Sequence, residues 1–322
     1  MHGLGNDFMV IERLSQSINI TAELVQQWAN RRTGVGFDQL LVLDPPQDPK
    51  HDFQYIIYNS DGSEVGQCGN GARCIARFIA DQKLCTKSEQ TLATSTNTMH
   101  IMLEDGLAKV CLSKPKFKPQ SLPFLVDQAQ RLEACKHTYY LADLDETFTI
   151  VSVGNPHAVI FVDNVETIDI QRAERLQAHP CFPEGVNVGF AQILQQPLSE
   201  QPAEQSALES PSLQLSSLKL PALKLRVVER GAGETQACGS GACAAAIAAI
   251  ETERLAPGAV QVILLGGELS IQWHEQQLTM KGPASRVYTG RLLVRHTNHS
   301  RRDYEHHHTP TSTTEDTQEN HS

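Results

Sequence analysis

Cys68-Gly69-Asn70-Gly71-Ala72 returns about half a chain later as Cys238-Gly239-Ser240-Gly241-Ala242. Each copy has a glutamate four residues upstream, Glu64 and Glu234, and a second cysteine shortly after, Cys74 and Cys243. Each leads into a helix-like run. After Gly71, the residues Ile75, Phe78 and Ile79 recur at helical spacing. After Gly241, Ala242–Ile250 is apolar on every side, and a helix without a polar face is normally buried all round. The repeat predicts two similar halves, each delivering one thiol to the start of a central helix.

Around these two helices the pattern is that of strands. Phe53–Tyr58, Met99–Leu103, Leu107–Leu112, Thr149–Val153, Ala158–Val162, Leu223–Val228, Val260–Leu265 and Glu268–Trp273 are short and rich in β-formers. Asp105-Gly106 and Gly266-Gly267 separate neighbours as turns. One further helix is predicted from Thr21, which can cap a run carrying Leu24, Val25 and Trp28. The fold class expected is α+β: two pseudo-symmetric domains, each a mixed β-sheet or barrel wrapped around a central α-helix, with the active site in the cleft between them. The first domain is expected over 1–112, with a C-terminal strand at about 286–293 returning to it. The second is expected over 113–285. Gln195–Pro221, rich in Gln, Ser, Pro and Glu, reads as a flexible insertion, and 295–322 as a disordered tail in which His306–His308 is solvated.

With 322 residues, the chain is long enough for two cores. A formal charge of −10 leaves no basic stripe for nucleic acid or a membrane surface. No run approaches the roughly 18 apolar residues of a membrane helix. The start, Met1 to Val10, lacks the marks of a signal peptide, which points to the cytosol. The eight cysteines are spread thinly and contain no Cys-x-x-Cys, so they read as reduced thiols rather than a zinc ribbon or a redox pair. Cys85, Cys111, Cys135 and Cys181 read as small buried hydrophobes.

The chemistry follows from the repeat. A Gly-Asn-Gly or Gly-Ser-Gly turn into a helix offers backbone N–H donors and a positive dipole, an anion site. Neither copy carries a Walker lysine, and a substrate carboxylate fits the two turns better than phosphate does. A helix N-terminus stabilises a thiolate by about 0.3–2 kcal/mol, which brings it within reach near neutral pH. Two neighbouring thiols would share their titration, one charged and one neutral. Set across one carbon, such a pair can remove a proton from one face and return one to the other, as a racemase or epimerase without a cofactor does.

The residues also resemble a family, that of diaminopimelate epimerase. The matching stretches are His2-Gly3-Leu4-Gly5-Asn6-Asp7-Phe8, Gly34-Val35-Gly36-Phe37-Asp38-Gln39 and Asn59-Ser60-Asp61-Gly62-Ser63-Glu64. Gln67 through Cys74, Gly154-Asn155-Pro156-His157, Asn187-Val188-Gly189-Phe190 and Glu229 through Gly241 complete the set. The chain departs from the pattern at its start, where Met1-His2-Gly3 stands in place of a longer first segment. It departs again at Thr98, at the insertion before Leu223 and in the tail.

The resemblance implies an isomerase that interconverts LL- and meso-2,6-diaminopimelate in lysine and peptidoglycan-precursor biosynthesis, without pyridoxal phosphate or metal, as a cytoplasmic homodimer. It implies that Cys68 and Cys238 are the acid–base thiols, and that His157 and Glu229 hold the reacting amine and assist them. Backbone at Gly69-Asn70 and Gly239-Ser240 is implied to hold the reacting carboxylate. Asn6, Gln39, Asn59, Asn155, Asn187 and Arg230 are implied to surround the rest of the substrate. A distal zwitterion needs a cation for its carboxylate and amide oxygens for its ammonium, which suits that set. The rival readings are a proline or hydroxyproline racemase, whose substrate has no distal zwitterion, and a redox or metal-binding protein, which the missing Cys-x-x-Cys argues against.

Overall fold

The structure, a computed structural model, describes residues 1–194, 220–275 and 277–293. The tail and all but the last two residues of the expected insertion lie outside the described residues, as do His306–His308. Met1–Tyr288 forms one compact unit. Within the remainder, 289–293 is exposed and without regular structure.

Four α-helices are present among the described residues: α1 (Ala22–Ala29), α2 (Gly69–Gln82), α3 (Gln171–Ala178) and α4 (Gly239–Glu251). The strands of the first half are β1 (His2–Gly3), β2 (Asn6–Glu12), β3 (Gln39–Asp44), β4 (Phe53–Asn59), β5 (Glu64–Val65), β6 (Glu89–Ala93), β7 (Thr98–Glu104) and β8 (Leu107–Leu112). Those of the second half are β9 (Gln130–Arg131), β10 (Thr138–Leu141), β11 (Glu146–Ser152), β12 (Pro156–Phe161), β13 (Asn187–Leu194), β14 (Ala222–Glu229), β15 (Gly233–Thr235), β16 (Gly258–Leu264), β17 (Gly267–His274) and β18 (Gln277–Gly282).

The two halves follow one pairing scheme. β2 lies parallel to β3, which lies antiparallel to β4; β4 takes the short β5 and, after α2, the parallel β6. In the second half β12 lies parallel to β13, β13 antiparallel to β14, and β14 takes β15 and, after α4, the parallel β16. Antiparallel pairs then close each half, β6–β7–β8 in the first and β16–β17–β18 in the second. The sheet crosses from one half to the other because β18 also pairs with β8, Met280 facing Val110. The strand that returns to the first half is therefore Gln277–Gly282. The strand expected at about 286–293 is absent: beyond β18 only Ser285 bridges back, to His2. Pro283 removes a backbone donor just after β18, which suits the end of a strand.

The central helices are wrapped as their patterns predict. α4 is buried from Gly241 to Ile250 and packs on β11 through β14, β16, β17 and β18. Ile247 is fully buried, and burying such a side chain contributes about 1.5–3 kcal/mol. α2 buries Ala72 through Ala76 and Ile79 against β1, β2, β3, β7 and β8. Thr21 caps α1 as expected, accepting from the Leu24 N–H at 3.3 Å. A separate aromatic cluster, Phe124, Tyr139, Phe148 and Phe182, fills the outer layer of the second half beside α3.

Candidate active site

Both repeat cysteines stand at the N-cap of their helix with extended backbone, where a serine or aspartate more often sits. Each thiol takes over the capping bond. Gly71 N–H donates to Cys68 Sγ at 3.3 Å, and Gly241 N–H to Cys238 Sγ at 3.4 Å. The glycines are dictated by space. A Cβ at Gly71 would lie 2.4 Å from the Tyr55 hydroxyl, and one at Gly239 would lie 2.8 Å from Asn70 Oδ1.

The second of those distances also shows that the two turns meet. Asn70 crosses the seam, its Nδ2 donating to the Ala237 carbonyl at 2.9 Å. Met280 of β18 lies between them, with its Cε 3.0 Å from a Cβ built at Gly69 and its Sδ 3.0 Å from one built at Gly239. Cys68 is half-buried and Cys238 is buried. All eight cysteines are free.

The other expected residues fall at equivalent strand ends. Glu229 closes β14 as Asn59 closes β4, and Asn187 opens β13 as Gln39 opens β3. Glu229 accepts from the Thr235 hydroxyl at 2.7 Å, and its carboxylate bears electrostatically on both thiols. His157, 1% exposed, pairs through Nε2 with Asn155 Oδ1 at 3.1 Å. Asn155 Nδ2 donates to Ser240 Oγ at 3.3 Å, and Ser240 Oγ lies 3.4 Å from Cys238 Sγ. Asn187 donates to the Pro156 carbonyl and accepts from the Arg230 N–H at 2.9 Å. The Arg230 guanidinium donates to the Glu184 carbonyl and has no carboxylate partner among the described residues. In the first half Asn6 donates to Asp38 and accepts from Asn70 at 3.3 Å. Gln39 donates to Asn59 Oδ1 at 2.9 Å, and the hydrogen bonds of that pair stop short of the cysteines.

The thiols depart from expectation in their charge state. Burial pushes Cys68 up to about 11; the Gly71 N–H and the Arg73 charge oppose this, and Glu229 adds to it. Burial and then the Glu229 charge push Cys238 well above the ordinary thiol value. Loss of water around the sulfur outweighs the helix dipole, so burial favours the neutral thiol at both positions. Burial also holds His157 down to about 3, as a neutral imidazole.

Several residues escaped the sequence reading. Arg73 of α2 is fully buried and donates to Asn70 Oδ1 at 2.9 Å. Thr235 orients Glu229, and Gln67 accepts from Asn97 at 3.0 Å beside Gly154. A charged residue among Ala72, Cys74 and Ile75 was the available sign for Arg73. Of Cys85, Cys111, Cys135 and Cys181, all expected as buried hydrophobes, only Cys181 is buried; Cys85, Cys111 and Cys135 keep partial exposure. A groove of about 540 Å³ near Lys116, Phe117, Lys118 and Tyr139 includes none of the expected site residues. Among the described residues, no helix is long and apolar enough to cross a membrane.

Two wrapped helices, each with a cysteine at its N-terminus, put the molecule in the class of the epimerase and PhzF-type fold. A hydroxyproline epimerase from Agrobacterium vitis shares the fold with a TM-score of 0.52 at 14% identity, over 88% of this chain and 87% of that one. A PhzF-family protein from Bacillus anthracis shares it with a TM-score of 0.56 at 14% identity, over 88% and 92%. The sequence is more discriminating. The family model described as diaminopimelate epimerase matches residues 1–117 and 149–287. A diaminopimelate epimerase from Ectopseudomonas mendocina is 43% identical over 91% of this chain and 98% of its own length. One from Neisseria meningitidis is 44% identical over 91% and 96%. The chain belongs to the diaminopimelate epimerase family.

Proposed function

We propose that the protein interconverts LL- and meso-2,6-diaminopimelate by moving one α-proton between two thiols. The observation that carries this reading is the junction of two thiol-capped helix starts, joined by Asn70 and sharing the Glu229 charge. One cysteine, as thiolate, removes the α-hydrogen as a proton, and the carbon keeps the electron pair of the broken C–H bond. The opposite thiol then gives its proton to the other face. The α-carbon ends inverted, and the two cysteines have exchanged charge states. The free N–H groups at each helix start suit the reacting carboxylate, which gathers charge as the carbanion forms. His157, held neutral, and Glu229 suit the reacting ammonium as acceptors. That ammonium also brings a positive charge beside thiols that burial keeps neutral, which favours the thiolate.

Arg230 is assigned to the distal carboxylate, with the amides of Asn6, Gln39, Asn59, Asn155 and Asn187 around the rest. The reaction needs neither pyridoxal phosphate nor metal, and the protein is assigned to the cytoplasm as a homodimer serving lysine and peptidoglycan-precursor synthesis. The hydroxyproline epimerase likeness keeps a cyclic imino acid as the second reading, since the fold alone does not separate the two. Incubation in D2O with each substrate distinguishes them. Deuterium should enter the α-position of LL-diaminopimelate and not that of proline or hydroxyproline; the reverse result assigns the protein to the second reading.

A further inference from the structure

Arg73 is a cation in the wrong place for a merely structural residue. It is fully exposed to the cost of burial, with no solvent-accessible surface and no carboxylate partner among the described residues. Its Nη1 donates to Asn70 Oδ1 at 2.9 Å and lies 3.4 Å from Met280 Sδ. Its Nε donates to the Pro283 carbonyl at 3.3 Å, and its Nη2 has no hydrogen-bond partner among the described residues. Gly3 makes room for it, since a Cβ there would lie 2.9 Å from Nη2. A buried charge without a counter-ion is costly.

The groups able to become its counter-ion are thiols. Cys68, Cys74 and Cys243 are the residues whose negative form bears on Arg73. Cys74 and Cys243 lie within the apolar packing of the two helices, and burial pushes each up to about 12, although the chain-terminal amine of Met1 also favours the Cys74 thiolate. Of the three, Cys68 alone is half-buried rather than buried. Tyr55, packed beside it, donates only weakly to its carbonyl, at 3.5 Å. The second thiol lacks that cation: Glu229, which bears on both thiols, is the charged group that bears on Cys238, with Ser240 at 3.4 Å.

We propose that Arg73 is a positioning residue of the site, whose buried guanidinium fixes Asn70 across the seam and provides the positive charge against which Cys68, rather than Cys238, becomes the thiolate. The pair is then asymmetric before substrate arrives: both thiols feel the Glu229 carboxylate, and Cys68 alone also feels the Arg73 cation. Through Asn70 the same guanidinium sets the Ala237 carbonyl, one residue before Cys238, so charge and geometry come from one side chain. The inference rests on the two-thiol reading of the site but not on the identity of the substrate.

The test is residue-resolved alkylation. The full-length protein is treated with iodoacetamide from pH 6 to 11, and modification of Cys68 and Cys238 is followed by peptide mass spectrometry. The position of each rate profile along the pH axis, read from its rising limb where the midpoint lies at or beyond pH 11, is compared between parent and variant, so that slow access to a buried sulfur does not affect the reading. The expected result is a lower midpoint for Cys68 than for Cys238. In Arg73→Met the Cys68 midpoint should rise by about one pH unit or more while that of Cys238 stays in place. Arg73→Lys serves if the methionine variant does not fold. It should keep the Cys68 midpoint near that of the parent while kcat falls, because the charge remains and the fork that holds Asn70 is gone. Equal movement of both thiols, a lower midpoint for Cys238, or a Cys68 profile unchanged in folded Arg73→Met would overturn the proposal. A protein that behaves as expected here yet ignores diaminopimelate would sink only the substrate assignment.

Discussion

At the scale of single residues, the site joins buried side chains, Cys238, His157 and Asn70, to half-buried ones such as Cys68. Cys68→Ala and Cys238→Ala should each nearly abolish deuterium incorporation at the α-carbon; near-normal turnover in either variant would exclude the two-thiol mechanism. His157 gives a stability signature. Its value falls from about 6.5 in the unfolded chain to about 3 in the fold, so its contribution is complete above pH 6.5 and is lost as the pH falls from 6.5 toward 3. Between pH 7 and pH 5 this amounts to about 2 kcal/mol. Urea unfolding of the parent and of His157→Gln at both pH values should show that much less acid sensitivity in the variant. An identical difference in both proteins would mean that His157 is not buried as a neutral imidazole. Arg230 tests specificity. Its stem crosses Gly185, where a Cβ would lie 2.8 Å from Arg230 Cδ in a backbone with φ +70°. Arg230→Lys keeps the charge and loses the planar fork, so kcat/KM for diaminopimelate should fall at least about tenfold. Steady-state kinetics that show no loss would remove Arg230 from the distal end.

At the scale of elements, the two helix starts are set by glycines. Gly239→Ala pushes a methyl into Asn70 Oδ1 and Met280 Sδ, at 2.8 and 3.0 Å. Asn70 has little freedom to yield, held as it is by Arg73 and by the Ala237 carbonyl. Overpacking of this kind typically costs about 1–3 kcal/mol. Turnover should drop far more than the melting temperature, because the misplaced groups lie beside both thiols; equal loss of both would show that the turn matters only to folding. The elements also show where sequence reading stopped. α4 was plain, because a run from Ala242 to Ile250 without a polar face has only one stable location. β3 and β13 went unread: QLLVLD is a short apolar run without alternation, and NVGFAQIL opens on Asn187 and carries Gly189. Both strands are largely buried, so neither shows the polar face that marks a strand. α3 went unread because its N-cap residue, Ile170, makes no side-chain cap.

At the scale of the whole molecule, β18 decides whether the halves behave as one body. It pairs with β17 on one side and β8 on the other, and Leu278 on it is fully buried. The chain has two tryptophans, Trp28 on α1 and Trp273 on β17, one in each half. In single-tryptophan variants, fluorescence should report one common unfolding transition. Leu278→Ala should destabilise both probes together, by about 2–5 kcal/mol for a buried leucine. Two separated transitions, or a loss confined to Trp273, would show halves that are only loosely coupled.

The sequence by itself determined the two helices, the thiol at the head of each, and most of the residues that gather near them. These are properties of spacing and residue type: a repeated pentapeptide, a helix with no polar face, and amides and charges in fixed order along the chain. Only the tertiary structure decided what surrounds the thiols. The seam bond from Asn70 to Ala237 links residues 167 positions apart, and no local pattern contains it. The same holds for the burial that pushes the Cys68 and Cys238 thiols up and the His157 imidazole down. Spacing revealed the N–H donors and the dipole, which favour a thiolate; the loss of water that opposes it depends on which strands close over the sulfur. Arg73 shows the difference most clearly, since its charge is written in the chain but its burial without a carboxylate partner among the described residues exists only in the fold.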